Sequence, residues 1–239
     1  MHGAALFSEA HPNLHVHMIR AFIQARMSSA RFPGKVLAPF HGEPIITRVV
    51  SRVAEVLPLD QITVATSVER SDDPLAFYLE RIGISVHRGP LDNVFERFQL
   101  CLKEHACSWF FRVCADSPLL DTSLLRRVLP YASDDRIDLV TNVQVRTFPK
   151  GCSVEMINAA QFARIGLSQL HSDDEKEHLT KVFYNHPDDF EIVNIESGNP
   201  ELAKLNWSVD TLEDLLQLEK TRPEQFFPEY ASSSSPSVS

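Results

Sequence analysis

The sequence predicts an α/β protein in which helices cover both faces of a mostly parallel sheet, so that the molecule has three layers. Segments typical of strands and segments typical of helices alternate along most of the 239 residues, and the connections between them are short. Repeated strand–helix units of this kind pack as a parallel sheet between two layers of helices. At 239 residues the chain can bury one substantial core or two small ones, and its composition, 44 % hydrophobic and 23 % charged, is ordinary for a globular protein.

The first half of the chain contains three strand–helix units. The strand-like runs, in chain order, are IRAFI, QITVATS and ISVHR. The helical segments that follow them are Pro44 to Leu57, LAFYLERI and NVFERFQLCLKEHA. Ser71-Asp-Asp-Pro precedes the second helix as a cap with proline in the first turn, and Asp92 is the predicted cap of the third.

The second half continues this pattern and then departs from it. SWFFRVC predicts a fourth strand, LLDTSLLRRVLPYA a capped helix and IDLVTN a fifth strand. Thr211 and Asp214 have the spacing of a capping box at the start of TLEDLLQLEK. About residues 142–186 follow no simple alternation, and we expect an arm there that closes over a substrate or contacts a partner subunit.

The alternating region predicts a single domain over residues 18–221. Residues 1–17 show no clear hydrophobic period, and we expect a flexible N-terminal extension. Residues 222–239 end in ASSSSPSVS, a low-complexity stretch, and we expect a disordered Ser/Pro-rich tail.

The composition argues against several classes of partner. Asp and Glu outnumber Lys and Arg by 32 to 23, and the absence of a long basic stripe disfavours nucleic acids and membrane surfaces. No apolar run approaches the roughly 20 residues that span a bilayer, and the N-terminus lacks the features of a secretory signal. We therefore expect a cytoplasmic protein. The four cysteines form no Cys-x-x-Cys pair, so we expect free thiols rather than zinc ligands.

The segment QARMSSARFPGK, from Gln24 to Lys35, is basic although the chain as a whole has a net charge of −9. This basic loop follows the first strand, where open α/β sheets bind ligands, but it contains neither GxGxxG nor GxxxxGK[ST]. The small residues that let backbone N–H groups approach a phosphate are Ser28, Ser29 and Ala30. The cations that neutralise such a ligand are Arg26, Arg31 and Lys35. We therefore predict a site for a small phosphorylated anion.

Two aspartates follow strand-like runs at the same predicted edge of the sheet. Asp116 ends the apolar strand in VCADSPLLD, and Asp210 ends a short strand in NWSVDTLEDL. Mg²⁺ favours one or two protein carboxylates together with waters and the phosphate oxygens of a substrate. Beside the basic loop, the two aspartates therefore predict a magnesium site on a bound triphosphate.

Seven motifs occur in an order typical of one family. They are IQARMSSARFPGKVL, ITVATS, DDP, FRVCADSPLLD, FPKGCSVE, EHLT and SVDTLEDL. Together they resemble the cytidylyltransferase family of spore-coat and surface-polysaccharide biosynthesis, which is related to the enzymes that activate 3-deoxy-manno-octulosonate and acylneuraminate. The resemblance runs from about residue 18 to residue 220. It implies a nucleotide-diphospho-sugar transferase (Rossmann-like) fold, CTP as donor, Mg²⁺ as cofactor, a small sugar or sugar-acid acceptor and release of pyrophosphate. Relatives are often dimeric, so a homodimer is a further expectation.

The resemblance and the basic loop together imply roles for individual residues. The catalytic set is Arg26, Lys35, Asp116 and Asp210, with the two aspartates as metal ligands. The nucleotide-binding set is Gln24, Ala25, Arg26, Ser28, Ser29, Arg31, Lys35, Thr66, Ser67 and Arg97. The acceptor-binding set is Arg146, Lys150, Glu155, Glu177 and His178. His178 or Glu177 is the candidate base, unless the attacking hydroxyl is acidic enough to need none.

Two positions depart from the family's pattern, and two other functions stay open. Ala115 stands where the family commonly has glycine, and Ser153 stands where its PxGxDxE motif has aspartate, although Glu155 is retained. These departures keep open a nucleotide-binding protein without turnover. The other alternative is a glycosyltransferase that consumes a nucleotide sugar, but Asp116-Ser-Pro stands in place of the Asp-x-Asp that such enzymes usually present to their metal.

Overall fold

The computed structural model describes residues 17–222. The predicted N-terminal extension and C-terminal tail lie outside the described residues, apart from one boundary position in each. The strands of the described chain are β1 (Ile19–Gln24), β2 (Pro39–Phe40), β3 (Glu43–Pro44), β4 (Ile62–Ser67), β5 (Ser85–Gly89), β6 (Trp109–Cys114), β7 (Leu139–Thr141), β8 (Glu155–Asn158) and β9 (Ile192–Asn194). Its α-helices are α1 (Ile45–Ala54), α2 (Asp73–Arg81), α3 (Val94–Glu104), α4 (Thr122–Val128), α5 (Ala159–Arg164), α6 (Asp173–Glu177), α7 (Lys181–Asn185) and α8 (Leu212–Leu218).

Seven of these strands form one sheet in the order β5-β4-β1-β6-β8-β7-β9. Strands β5, β4, β1 and β6 pair in parallel, and so do β7 and β9. Strand β8 pairs antiparallel with both of its neighbours, β6 and β7. The predicted mostly parallel sheet is therefore confirmed, with one reversed strand that the sequence pattern did not indicate.

The central strand β1 separates two hydrophobic cores. Phe22 packs in one core, whereas Ala21 and Ile23 pack in the other, because side chains alternate between the faces of a strand. Helices α1, α2, α4 and α8 contribute buried residues to the core that contains Ile23. Helices α3, α5 and α7 contribute to the core that contains Phe22. The sheet is thus covered on both faces, as the three-layer prediction requires.

One predicted helix cap is confirmed and another is wrong. Thr211 and Asp214 form the predicted capping box at the start of α8. Helix α3 is capped by Asn93, whose Oδ1 accepts a hydrogen bond from the Glu96 backbone N–H at 3.0 Å. The helix begins one residue later than expected, so Asn93, and not Asp92, lies three residues before the N–H that needs a partner.

The segment before Asp210 is not the strand that the sequence predicts. Trp207 N–H donates to the Lys150 carbonyl at 2.6 Å, and Val209 N–H donates to the Asp116 carbonyl at 2.8 Å. Within residues 17–222, the one β-bridge of this segment is an isolated pairing of Asn206 with Lys150. The hydrogen bonds of this segment go to two separate loops, and the segment belongs to neither sheet of residues 17–222.

The irregular stretch over residues 142–186 contains the reversed strand β8 and the three short helices α5, α6 and α7. Its predicted role as an acceptor or dimer arm stays a prediction. Among residues 17–222, no helix combines the length and the apolar character needed to cross a bilayer.

Candidate functional site

The candidate site lies at the carboxyl ends of the two central strands, β1 and β6. The basic loop begins at the last residue of β1, and Asp116 follows β6. These strands pair in register from Ile19 with Trp109 to Gln24 with Cys114, so the two loops leave the sheet side by side. A cavity of about 400 Å³ opens between them.

Most of the predicted site residues line this cavity. Those in its wall are Gln24, Ala25, Arg26, Ser29, Arg31, Lys35, Asp116, Glu177, His178 and Asp210. Those outside the wall are Ser28, Thr66, Ser67, Arg97, Arg146, Lys150 and Glu155. The structure therefore brings together the two aspartates and the loop cations, although the aspartates are far apart in sequence.

The basic loop leaves a row of backbone donors unused. Gly34 has a φ of +74°, a conformation that favours glycine, and its N–H donates to the Met27 carbonyl at 2.8 Å. This contact closes the loop on itself. Within the described chain, the N–H groups of residues 28–32 donate no hydrogen bond to another residue. They are free to donate to an anion, as in other anion-binding loops.

A buried carboxylate fixes the loop to the neighbouring strand β4. Asp72 Oδ1 accepts from the Met27 N–H at 2.7 Å, and Oδ2 accepts from Thr66 Oγ1 and from the Ser67 N–H, both at 3.0 Å. Thr66, Ser67 and Asp72 are fully buried. Ser67 Oγ also donates to Asp72 Oδ2, so the side chains of Thr66 and Ser67 both hold Asp72. The sequence suggested only a helix cap for this aspartate, yet its side chain forms no cap hydrogen bond.

Lys35 joins the two predicted metal ligands. Its Nζ donates to Asp116 Oδ2 at 2.9 Å, to Asp210 Oδ1 at 3.1 Å and to the Val209 carbonyl at 2.6 Å. The residue is 8 % exposed, and all three ammonium protons have acceptors. Burial alone would lower the pKa of Lys35, but Asp116 and Asp210 outweigh it and raise the pKa above its ordinary value. The two carboxylates therefore converge on one cation.

Asp210 carries further positive charge on its other oxygen. Oδ2 lies 2.6 Å from Lys150 Nζ and 3.1 Å from an Arg31 guanidinium nitrogen. Partial burial opposes ionisation of Asp210, but hydrogen bonds from Lys150 and Lys35 lower its pKa to about 2. The carboxylate is consequently ionised at any pH at which the protein would work.

Arg112 is a site residue that the sequence analysis missed. It lines the cavity, and its guanidinium donates to Glu155 Oε2 at 3.0 Å and to Gln24 Oε1 at 2.9 Å. Tyr184 OH donates to the other oxygen of Glu155 at 2.7 Å. Burial opposes the charge on Arg112, but Cys114, Glu155 and Asp116 hold its pKa above the ordinary value. The available signal was a single arginine inside the apolar run FFRVC.

The predicted residues of the KEHLT motif face the basic loop. Glu177 Oε1 lies 3.2 Å from an Arg26 guanidinium nitrogen, and both side chains are partly exposed. His178 lines the cavity, and its Nε2 lies 3.7 Å from Asp174 Oδ1. Because exposed ion pairs are weak, the contact between Arg26 and Glu177 presents little obstacle to a phosphate.

Two predicted arginines lie outside the cavity wall in different surroundings. Arg97 is fully buried, and one guanidinium nitrogen donates to the Pro90 carbonyl at 2.9 Å. Burial lowers the pKa of Arg97 to about 10. Arg146 is half-buried and donates to Ser153 Oγ at 3.2 and 3.3 Å. Ser153, which replaces the aspartate of the motif, thus leaves Arg146 without an ion-pair partner among residues 17–222.

The thiols are free, as expected, and one of them lines the cavity. Cys101 and Cys152 are buried, and Cys107 and Cys114 are half-buried. Burial raises the pKa of Cys114 to about 11. This thiol is therefore neutral near pH 7 and a poor nucleophile.

The two carboxylates of the site suit a divalent metal ion whose other ligands are waters and substrate phosphates. No group of three or more His, Cys, Asp or Glu side chains in residues 17–222 could enclose an ion. Two carboxylates, Asp116 and Asp210, nevertheless reach a common cation, the ammonium of Lys35. Mg²⁺ commonly binds through one or two carboxylates with waters and substrate phosphates, so the two aspartates fit it.

Comparisons with known proteins show which family model and which relatives the chain resembles. The sequence model of the family described as "Cytidylyltransferase" matches residues 21–231. The chain is similar to the spore coat polysaccharide biosynthesis protein SpsF of Bacillus subtilis (strain 168), with 30 % identity over 197 residues that cover 80 % of this chain and 81 % of that protein.

Two solved structures share the fold. A cytidylyltransferase from Leptospira borgpetersenii serovar Hardjo-bovis (strain JB197) superposes with a TM-score of 0.80 and 25 % identity over 88 % of each chain. A CMP:2-keto-3-deoxy-manno-octonic acid synthetase complexed with CTP superposes with a TM-score of 0.65 and 16 % identity, over 84 % of this chain and 97 % of that one. The expected nucleotide-diphospho-sugar transferase fold is thereby confirmed.

Proposed function

The chain belongs to the cytidylyltransferase family, and from that premise we propose that it transfers CMP from CTP to a hydroxyl group of a small sugar or sugar acid, with release of pyrophosphate. Membership makes it a nucleotidyltransferase. The observation that carries the finer proposal is the convergence of Asp116 and Asp210 on Lys35, beside a loop of unused N–H donors. A metal-bound triphosphate requires this combination of carboxylates, cations and amide donors.

The basic loop is the proposed binding site for the triphosphate. Its free N–H groups donate to phosphate oxygens, and Arg26, Arg31 and Lys35 neutralise the phosphate charge. Arg26 must leave Glu177 to do so, which costs little because the pair is partly exposed. A solved synthetase that is complexed with CTP shares the fold of this chain.

The proposed reaction is an in-line substitution at the α-phosphorus. The acceptor hydroxyl oxygen forms a bond to the α-phosphorus, and the bond to the oxygen that bridges the α- and β-phosphates breaks. The electron pair leaves on pyrophosphate, whose charge is neutralised by the loop cations. The hydroxyl proton passes to Glu177 or His178, both in the cavity wall, unless the acceptor is already ionised.

Mg²⁺ is the proposed cofactor, and Asp116 and Asp210 are the residues that would hold it. Once bound, the ion supplies positive charge that stabilises the phosphate oxygens during transfer. The pKa of about 2 keeps Asp210 ionised and ready to bind a cation.

The surroundings of Arg146 support an acidic acceptor. Among residues 17–222, Arg146 has a hydrogen bond to the hydroxyl of Ser153 and no ion-pair partner, so its charge is available to a carboxylate of the substrate. Glu155 accepts hydrogen bonds from Arg112 and Tyr184. It therefore positions Arg112, which also donates to Gln24 in the cavity wall. We propose a sugar acid for surface polysaccharide as the acceptor class, and the relative from Bacillus subtilis is named for a polysaccharide pathway.

Two measurements test the proposal in turn. Isothermal calorimetry in Mg²⁺ should show CTP binding in preference to ATP, GTP and UTP, and equal binding of all four would contradict a cytidylyltransferase specific for CTP. A pyrophosphate-release assay with CTP and a panel of acidic sugars should then identify an acceptor. CTP binding without pyrophosphate release on any acidic sugar would favour a nucleotide-binding protein without turnover.

A further inference from the structure

Lys150 lies at the aspartate end of the site, although the sequence places it among the acceptor-binding residues. Its Nζ is 2.6 Å from Asp210 Oδ2, and its side chain is 53 % exposed. Arg31 shares that carboxylate oxygen, and Lys35 takes the other one. Among residues 17–222, Asp210 therefore contacts Arg31, Lys35 and Lys150, and of these three Lys150 lies outside the basic loop.

The backbone around Lys150 is fixed so that its side chain reaches Asp210. Lys150 N–H donates to the Leu205 carbonyl at 3.0 Å, and the Lys150 carbonyl accepts from Trp207 N–H at 2.6 Å. Gly151 has a φ of +94°, and a Cβ at this position would overlap the carbonyl carbon of Trp207. Only glycine permits this approach. The loop is thus held in place, while the exposed end of the lysine side chain can move.

Within residues 17–222, the cations that form ion pairs with the two aspartates outnumber these aspartates. Asp116 and Asp210 carry two negative charges, whereas Arg31, Lys35 and Lys150 carry three positive ones. A divalent cation that enters alone must compete with these cations for the carboxylates. A polyphosphate changes the balance, because it attracts the same three side chains to its own oxygens.

We propose that Lys150 is a phosphate-binding residue, held on Asp210 in the free protein and transferred to the polyphosphate when metal and nucleotide bind together. The inference rests on the proposed function only in taking a polyphosphate as ligand. Because Lys150 competes with a metal ion for Asp210, a divalent metal ion should bind weakly on its own and more tightly when polyphosphate is present. Because linkage is reciprocal, metal must also strengthen polyphosphate binding by the same factor.

The test uses Mn²⁺ and inorganic triphosphate as probes on the full chain. Electron paramagnetic resonance measures Mn²⁺ binding without triphosphate, and calorimetry measures triphosphate binding with Mn²⁺ and with EDTA. In Lys150→Met, Mn²⁺ alone should bind about fivefold more tightly, because one competing cation of a partly exposed ion pair is gone. Triphosphate should bind about fivefold more weakly, and Mn²⁺ should strengthen its binding less than in the wild type.

Two further variants separate this role from a structural one. Lys150→Arg keeps the charge and should restore most of the coupling between Mn²⁺ and triphosphate. Lys204→Met removes another exposed lysine of an ion pair, with Glu201, in the segment just before Leu205, and should leave both affinities unchanged. If Lys150 only stabilised the loop, its removal would weaken the binding of both Mn²⁺ and triphosphate, and Mn²⁺ would not bind more tightly.

The proposal is overturned if Lys150→Met leaves Mn²⁺ affinity unchanged or weakens it, or if the coupling stays at the wild-type value. Inorganic triphosphate has no base, so these results do not depend on CTP being the donor. If the protein shows no preference for CTP but gives the expected Mn²⁺ and triphosphate results, Lys150 is still a phosphate-binding residue. In that case only the proposal that CTP is the donor fails.

Discussion

Replacing Lys35 by methionine removes the cation on which Asp116 and Asp210 converge while keeping a side chain of similar length. Lys35 is 8 % exposed, and its three hydrogen bonds of 2.6, 2.9 and 3.1 Å all disappear. Loss of one partner of a buried ion pair costs about 3–5 kcal/mol. Asp210 keeps Arg31 and Lys150, however, and the Asp116 side chain is 27 % exposed. We therefore expect Lys35→Met to lower the free energy of unfolding by about 2–3 kcal/mol.

Urea unfolding at pH 7, followed by tryptophan fluorescence, measures this loss. Because the pKa of Lys35 is raised above its ordinary value of 10.5, its contribution is fully present below that value and lost as pH rises through the folded-state pKa. The difference between variant and wild type should thus be constant from about pH 6 to 9. Adding Asp116→Asn to Lys35→Met should recover about 1–2 kcal/mol, since one uncompensated carboxylate is then neutral.

The exposed Lys103 offers a matched control, and Lys103→Met should change stability by less than about 0.5 kcal/mol. Affinity for CTP with Mg²⁺ should fall about 100-fold in Lys35→Met, as expected for loss of a positioned cation. Wild-type stability and wild-type CTP affinity in Lys35→Met would refute the electrostatic reasoning. A loss of stability that Asp116→Asn does not recover would show that Lys35 acts through packing.

Three further predictions concern the same cluster and the loop beside it. Asp116→Asn should lower pyrophosphate release by at least about 100-fold while changing the melting temperature little, because Lys35 keeps Asp210 and the Val209 carbonyl; full activity would contradict the assignment of Asp116. Asp210, with a pKa lowered to about 2 from 3.8, contributes stability that is present above pH 3.8 and lost as pH falls through 2. Between pH 3.8 and pH 2, the free energy of unfolding of Asp210→Asn should therefore fall by about 1 kcal/mol less than that of the wild type, after allowance for solvent screening. The same pH dependence in both proteins would argue against the ion pairs. Gly151→Ala should lower unfolding free energy by about 2–4 kcal/mol, because φ is +94° and the new methyl group meets the Trp207 backbone; a stability change below about 0.5 kcal/mol would mean that the loop is not held there.

The sequence was sufficient to predict features that depend on local patterns. The parallel sheet follows from alternating strand and helix signals, and the capping box of Thr211 and Asp214 follows from spacing alone. The convergence of Asp116 with the basic loop also follows, because parallel neighbouring strands end at the same edge of a sheet. These inferences need only the order of the elements.

Features that depend on three-dimensional packing could not be predicted. Arg112 reaches Glu155 and Gln24 only because β8 runs antiparallel beside β6, and no local pattern indicates that reversal. Lys150 contacts Asp210 because a positive-φ glycine lets two distant loops pack backbone to backbone. Asp92 was the wrong cap because adjacent Asp and Asn residues are nearly equivalent as caps, and the start of a helix is uncertain by a residue.

A crystal structure of the protein with CTP and Mn²⁺, with anomalous scattering recorded to locate manganese, tests the central claim most directly. We expect a manganese peak in contact with a carboxylate oxygen of Asp116 and one of Asp210, with the triphosphate against residues 28–32. A manganese ion that touches neither aspartate, or a triphosphate bound away from the basic loop, would contradict it.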